Sequence, residues 1–284
     1  YGIDKEIDLV KIAKAYMAIV GDGRGGIVQQ NSLHTAVGFE GRARDLFVEG
    51  SNKPHFKQFN IVMTNPPFGA NIKVLKSEAT SFKLGHAWKK DSIGQWQLTT
   101  RARDTEPQVL FVERCLDMLK DGGTLAIVLP ETIFHAIRGR PVLEFIKKGN
   151  NIKAVVDLAH NTFRPHNNAK TLLLVLQKGR PQQENIIMAV AEETGHDHQG
   201  RTLYRFDAKT KKFTGEVWDD TFIIRNELGD LSNSKNQYVF VVKTKDLKNE
   251  IYVPRYYWQK RAQSILEEAK SAGYKPVRIQ KLLD

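Results

Sequence analysis

The chain alternates short apolar runs with amphipathic stretches, and that alternation predicts strands and helices in turn. Residues 5–20 carry Leu9, Ile12, Tyr16 and Val20 at helical spacing, backed by Val10, Ala13 and Met17. Gly21 is placed to end that helix. Ile27-Val28 reads as a short strand, and Ile61-Val62-Met63 as another that breaks into two prolines. Residues 108–120 put Val109, Val112, Leu116 and Leu119 on one helical face. After the turn Asp121-Gly122-Gly123, the apolar run 125–129 predicts a buried strand, and Pro141 opens a short helix to Lys148. Strands follow at 154–158, 171–177 and 186–190, the last two joined by Lys178-Gly179-Arg180-Pro181 and expected to form a hairpin. Alternating β and α elements closed by an antiparallel hairpin predict an α/β fold with a mixed sheet.

Elsewhere the pattern is weaker. Residues 34–58 read as loop with weak helix, and residues 201–240 as short strands and loops. Residues 70–106 lack a clear period but interleave Lys73, Lys89, Lys90 and Arg101 with Phe82, Trp88 and Trp96. Such a stretch could contact nucleic-acid phosphates or order a substrate, or be a solvated excursion at the edge of the domain. Residues 259–271 return to helix. The chain thus divides into a core over 1–200, an extension over 201–258 and a helical linker over 259–284. The glycine cluster 21–26 follows a helix instead of opening one, so it reads as a connection and not as a phosphate cradle.

With 284 residues and 41% hydrophobic content, the chain can bury a substantial core. No apolar run approaches the roughly 18 residues that span a bilayer, so no membrane partner is expected. A single cysteine excludes an internal disulfide framework and fits a reducing cytoplasm. The net charge of +11 points to a polyanionic partner. No metal is expected, because His196 and His198 lack a second ligand pair at metal spacing.

The sharpest chemistry follows the strand at 61–63. In Asn65-Pro66-Pro67-Phe68 each proline fixes φ near −65° and lacks an N–H. The residue before a proline avoids the helical region, so Asn65 and Pro66 should be extended. The Asn65 side-chain oxygen and the Pro66 carbonyl then become two acceptors on a stiff frame, with Phe68 as a flat face. Two acceptors suit a planar exocyclic amine such as N6 of adenine, whose lone pair is delocalised into the ring. Accepting both its hydrogens favours the pyramidal, nucleophilic form. The plainer reading is a tight turn capped by Asn65 and Phe68.

This tetrapeptide resembles the catalytic motif of amino-group methyltransferases that use S-adenosylmethionine (SAM). The surrounding chain resembles the modification subunit of type I restriction–modification systems, a DNA adenine N6-methyltransferase. The likeness runs in order through Tyr1-Gly2-Ile3-Asp4, Pro107-Gln108-Val109-Leu110-Phe111-Val112-Glu113 and residues 123–131. It continues through Asn161-Thr162-Phe163-Arg164-Pro165 and residues 191–197. The resemblance implies the Rossmann-like sheet of SAM-dependent methyltransferases, here expected to be N-terminally incomplete and without the glycine-rich SAM loop.

By the same resemblance Asp4 holds the cofactor ribose, although it could equally cap the following helix. Asn31 stands where relatives often carry Asp against the cofactor adenine, and Asn65 also faces the cofactor. Phe163 would be the second stacking partner, with Phe68, for a base flipped out of double-stranded DNA; the alternative is a loop phenylalanine anchored in the core. Implied partners are a specificity subunit or fused target-recognition domain, and a restriction subunit. Two rival functions stay open: methyl transfer to RNA or a protein amide, and a catalytically incomplete subunit that binds DNA or scaffolds an assembly.

Overall fold

The computed structural model describes residues 1–21, 26–34, 46–48, 55–69, 72–207, 209–233, 236–275 and 277. The glycine-cluster residues 22–25 and most of the stretch 34–58 lie outside the described residues. Two compact units divide the chain. The first holds Tyr1–Leu129, Ala136–Asn151 and Val175–Gln182; the second holds Pro130–His135, Ile152–Leu174 and Gln183–Asp284.

The first unit opens with β1 (Gly2–Asp4), α1 (Ile7–Ile19) and β2 (Ile27–Gln29). β1 and β2 pair in parallel, with Asp4 opposite Gln29. The helix is where its spacing predicts, but its inward face is not. Val10 is buried and Ala13 and Met17 are partly covered, whereas Leu9, Ile12, Tyr16 and Val20 are exposed. Two overlapping stripes fit a helix of this length, and Val10, Ala13 and Met17 form the one turned inward.

β3 (Phe47–Val48) and β4 (His55–Phe56) form a short antiparallel ribbon ahead of β5 (Phe59–Thr64). The stretch without a clear period contains α2 (Lys76–Ala79) and a true hairpin, β6 (His86–Lys90) with β7 (Trp96–Ala102). Its turn is organised by Asp91, whose Oδ1 accepts the N–H groups of Ile93 and Gln95 at 3.0 and 2.8 Å.

α3 (Pro107–Met118) buries the predicted face, Val109, Val112 and Leu116, and runs into β8 (Leu119–Pro130), which is parallel to β5. Phe59 lies opposite Leu119 but Ile61 lies opposite Thr124, so the Asp121-Gly122-Gly123 turn is bulged out within β8. A side chain at position 123 would meet Lys120 O at 2.9 Å and Asn60 O at 3.0 Å, which only glycine avoids.

After α4 (Thr132–His135) in the second unit, α5 (Arg140–Lys147) returns to the first, opened by Pro141 as expected. β9 (Asn150–Asp157) and β10 (Thr171–Lys178) follow, each divided between the units, and the second unit continues with β11 (Asn185–Val190). They are followed by the ribbon β12 (Tyr204–Asp207) and β13 (Lys212–Val217), then α6 (Thr221–Leu228), β14 (Val239–Lys243) and α7 (Gln259–Ser271).

The strand order is β5-β8-β10 in the first unit and β10-β9-β11-β14 in the second, with β9 and β10 divided between them. β11 is parallel to β9 and antiparallel to β14, so the sheet is mixed. The antiparallel partner of β11 is therefore β14 and not β10. A strand's composition fixes that it is a strand but not which edge it joins, and the six residues after β10 carry the chain to the far side of β9.

Candidate active site

β5 ends at Thr64, opposite Ile127 of β8, and the next five residues leave regular structure. Burial alternates along them: Pro66 and Phe68 are buried while Asn65 and Pro67 are exposed. Pro66 and Phe68 pin the segment, which leaves the Asn65 carboxamide presented at the carboxyl end of a parallel strand. Gly69 O accepts the N–H of Ile72 at 3.2 Å and turns the chain away. Only 8% of Phe68 is exposed, so it is first an anchor of the turn.

Asp4 and Asn31 occupy the carboxyl ends of the neighbouring parallel strands β1 and β2. The Gln30 N–H donates to Asp4 O at 2.8 Å and holds the two ends together. One carboxylate oxygen of Asp4 accepts the Glu6 N–H at 2.8 Å, so Asp4 braces the start of α1. A carboxylate has further lone pairs, and the bracing does not exhaust them. Asn31 Oδ1 accepts the Leu33 N–H at 3.0 Å, and Asn31 O accepts the His34 N–H at 3.0 Å. To a ring nitrogen Asn31 can offer its Nδ2–H, and Oδ1 keeps a second lone pair.

Arg114, which the sequence reading passed over, holds that loop from behind. Its Nη2 donates to Leu33 O at 3.3 Å and to His34 O at 3.0 Å. The guanidinium lies over the rings of Phe56, at 4.6 Å, and Phe82, at 4.8 Å. Burial depresses its pKa, against the neighbouring acids Asp117 and Glu113. Next to it, Glu113 accepts the N–H groups of Lys83 and Leu84 at 3.0 and 2.9 Å, and burial pushes its carboxyl above the usual range. Glu113 and Arg114 thus tie α3 to the loops on either side of it. An adjacent Glu and Arg between the apolar positions Val112 and Leu116 were the available signal.

In the second unit Phe163 is partly exposed in the loop after β9. The loop is wound on itself: Thr162 Oγ1 donates to Ala159 O at 2.7 Å, and the Asn167 N–H donates to Phe163 O at 2.8 Å. Its base is held by Asp157, fully buried at the end of β9, whose Oδ1 accepts from Lys170 and Arg255. Asp4, Asn31 and Asn65 belong to the first unit and Phe163 to the second.

The carboxyl ends of β1, β2 and β5 thus carry an acid, an amide and a proline-stiffened amide, at the edge where α/β sheets bind their ligands. The chain belongs to the N-6 DNA methylase family, whose model matches residues 1–264. It is 26% identical over 129 residues to the type I restriction enzyme EcoEI methylase subunit of Escherichia coli, a match covering 45% of this chain and 23% of that protein. Among solved structures it resembles the type I restriction enzyme EcoKI M protein, at 13% identity and a TM-score of 0.51. That match covers 99% of this chain and 62% of that one. It also resembles a type I methyltransferase subunit from Streptococcus thermophilus, at 15% identity and a TM-score of 0.52. There the coverage is 90% of this chain and 47% of that one. The two structures share its fold, and the chain spans less than two thirds of the length of each of these relatives.

Proposed function

We propose that this chain is the catalytic part of a modification subunit that methylates N6 of adenine in double-stranded DNA. The observation that carries the reading is Asn65-Pro66-Pro67-Phe68 at the carboxyl end of β5, in a chain matched to the N-6 DNA methylase family over residues 1–264. SAM, when bound, supplies a methyl group on a sulfonium, an electrophile that needs no metal. Asp4 and Asn31 fit such a cofactor: the carboxylate accepts from the ribose hydroxyls, and the Asn31 Nδ2–H donates to the adenine ring.

Asn65 Oδ1 and the Pro66 carbonyl accept the two hydrogens of the target amine and direct its lone pair at the methyl group. With SAM bound, the oriented amine would take the methyl carbon while the sulfur would leave as a neutral thioether, and the surplus proton would pass to water. A neutral amide orients and polarises the amine without acting as a strong base. By resemblance Phe68 and Phe163 supply the two aromatic faces for the flipped base, although Phe68 is buried in its turn and would have to be uncovered to stack. A specificity subunit or fused target-recognition domain reads the sequence, and a restriction subunit completes the system. Residues 201–258 extend the core, and α7 leads toward the reader. A reducing cytoplasm is the compartment we infer from the single buried thiol.

The test is methyl transfer from labelled SAM to DNA by the full chain with its natural partners, with nucleosides resolved and Asn65→Ala run alongside. N6-methyladenine that disappears in the variant is the expected result. Label on RNA or protein, or no transfer despite tight DNA binding, overturns the reading.

A further inference from the structure

A second cleft lies in the first unit, away from Asn65. One wall is the β6–β7 hairpin, where Trp88 pairs with Leu98 and Lys90 with Trp96. Directly paired residues, and residues two apart on one strand, share a face of the ribbon. Trp88, Trp96 and Leu98 therefore form one apolar surface, and Lys90 Nζ lies 5.4 Å from the centre of the Trp96 ring. The lining also takes in the end of α5, with Phe145, Lys147 and Lys148, and Leu116 of α3. The open cleft has a volume of about 920 Å³, within the size range of small-molecule sites.

The charge of this cleft is one-sided. Glu144 is neutralised by Lys147 at 3.2 Å. Lys83, Lys148 and Lys178 share the lining with one further carboxylate, Asp121, while Asp117 acts on Lys83 and Lys178, so Lys148 carries the least compensated charge. Lys178 is fixed in place, donating to Leu116 O and Leu119 O at 2.7 and 2.8 Å at the carboxyl end of α3. Lys148, just past the end of α5, is exposed to solvent.

Position separates this cleft from the methylation site. It gathers residues from the start of β8, while Asn65 follows the end of β5, and the two strands are parallel from Phe59↔Leu119 to Thr64↔Ile127. Five residues at about 3.3 Å each put roughly 17 Å of strand between the two levels. A base held at Asn65 does not reach the cleft.

We propose that the cleft binds a nucleotide, with its base stacked on the Trp88–Trp96 surface and its phosphate on Lys148 and Lys83. Two indoles in one plane of ribbon suit a flat π-face, and the lysines suit the anion attached to it. An acidic peptide would use the lysines and leave the indoles idle. The nucleotide comes either as a free molecule or as an unpaired residue of a strand.

The experiment is calorimetry on the full chain with two probes, adenosine 5′-diphosphate and a short single-stranded oligothymidylate. Binding of the diphosphate identifies a free nucleotide, and binding of the oligonucleotide alone identifies a strand. In either case Trp96→Ala should weaken binding about tenfold or more, Trp96→Phe should keep most of it, and Lys148→Glu should also weaken it. Asn65→Ala should bind as the wild type does. Quenching of indole fluorescence by the bound base gives a second readout that needs no variant. The proposal is overturned if neither probe binds. It is overturned equally if Trp96→Ala binds normally, whatever Lys148→Glu does, because general positive charge would explain a loss there.

Discussion

Arg255 reaches back across 98 residues of chain to Asp157, its Nη2 donating to Oδ1 at 3.4 Å. The same guanidinium donates to Ala191 O at 3.2 Å, and Lys170 contacts Asp157 and Leu158 O from the other side. One fully buried carboxylate thereby joins the end of β9, the end of the Phe163 loop and the segment after β14. The two cations are unequal: Arg255 is 42% exposed and Lys170 19%. Removing the acid leaves Lys170, largely covered, without its partner, whereas removing Arg255 leaves water to replace much of it. We expect Asp157→Ala to lose about 3–5 kcal/mol in urea unfolding. Arg255→Ala should cost about 1 kcal/mol or less. Equal losses would mean that the acid is not the hub.

Arg114 leads to a prediction about the cofactor loop. Its fork holds Leu33 O and His34 O while its plane rests on Phe56 and Phe82. A lysine keeps the charge but has neither the fork nor the flat face. Arg114→Lys should therefore lower stability by about 1–3 kcal/mol and loosen the loop that begins at Asn31. If Asn31 contacts the cofactor, SAM affinity measured by calorimetry falls in the same variant. Unchanged stability in Arg114→Lys would show that charge alone holds the loop.

What could be read beforehand followed from how local each signal is. α3 and β8 were legible because one apolar face or run carries the whole message. The start of α5 was legible because Pro141 is itself the signal. α1 was legible as a helix, but its buried face was not, since two apolar stripes overlap and only packing chooses between them. The β6–β7 hairpin was missed because Lys89-Lys90 interrupts the alternation, although the Asp91 to Gly94 turn was there to be read. Asn65 stood out through its two prolines. Arg114 did not, because its burial depends on phenylalanines far away in the chain. The β11–β14 pairing was missed for the same reason, as nothing in either strand names its partner.

Asp4 allows a separation of roles. It braces α1 through the Glu6 N–H and is the acid proposed for the ribose. Asp4→Asn keeps an acceptor for the brace but loses the charge-assisted bonds to two hydroxyls. We expect stability to change by less than about 1 kcal/mol while SAM binding weakens about tenfold, a split read by thermal melting against calorimetry. Loss of stability with unchanged SAM affinity would leave Asp4 a helix brace only.

Cys115 supplies a test of the core of α3 that needs no ligand. The side chain is 3% exposed, and burial pushes its thiol from 9.0 up to about 12. The folded chain therefore keeps this proton after the unfolded chain has lost it. The unfolded state binds fewer protons between those two values, so the buried thiol makes stability fall as pH rises through that window. Below pH 9 the contribution is fully present. The slope from this one group is at most about 1.4 kcal/mol per pH unit. In Cys115→Ala the cavity lowers stability at every pH, but the slope between pH 9 and 11 becomes shallower by up to about that amount. Denaturant titrations of both chains across this range measure the difference. A thiol reagent at pH 8 should label Cys115 only as the chain unfolds. Rapid labelling of the native protein, or identical slopes in the two chains, would show that the α3 interior is open to water.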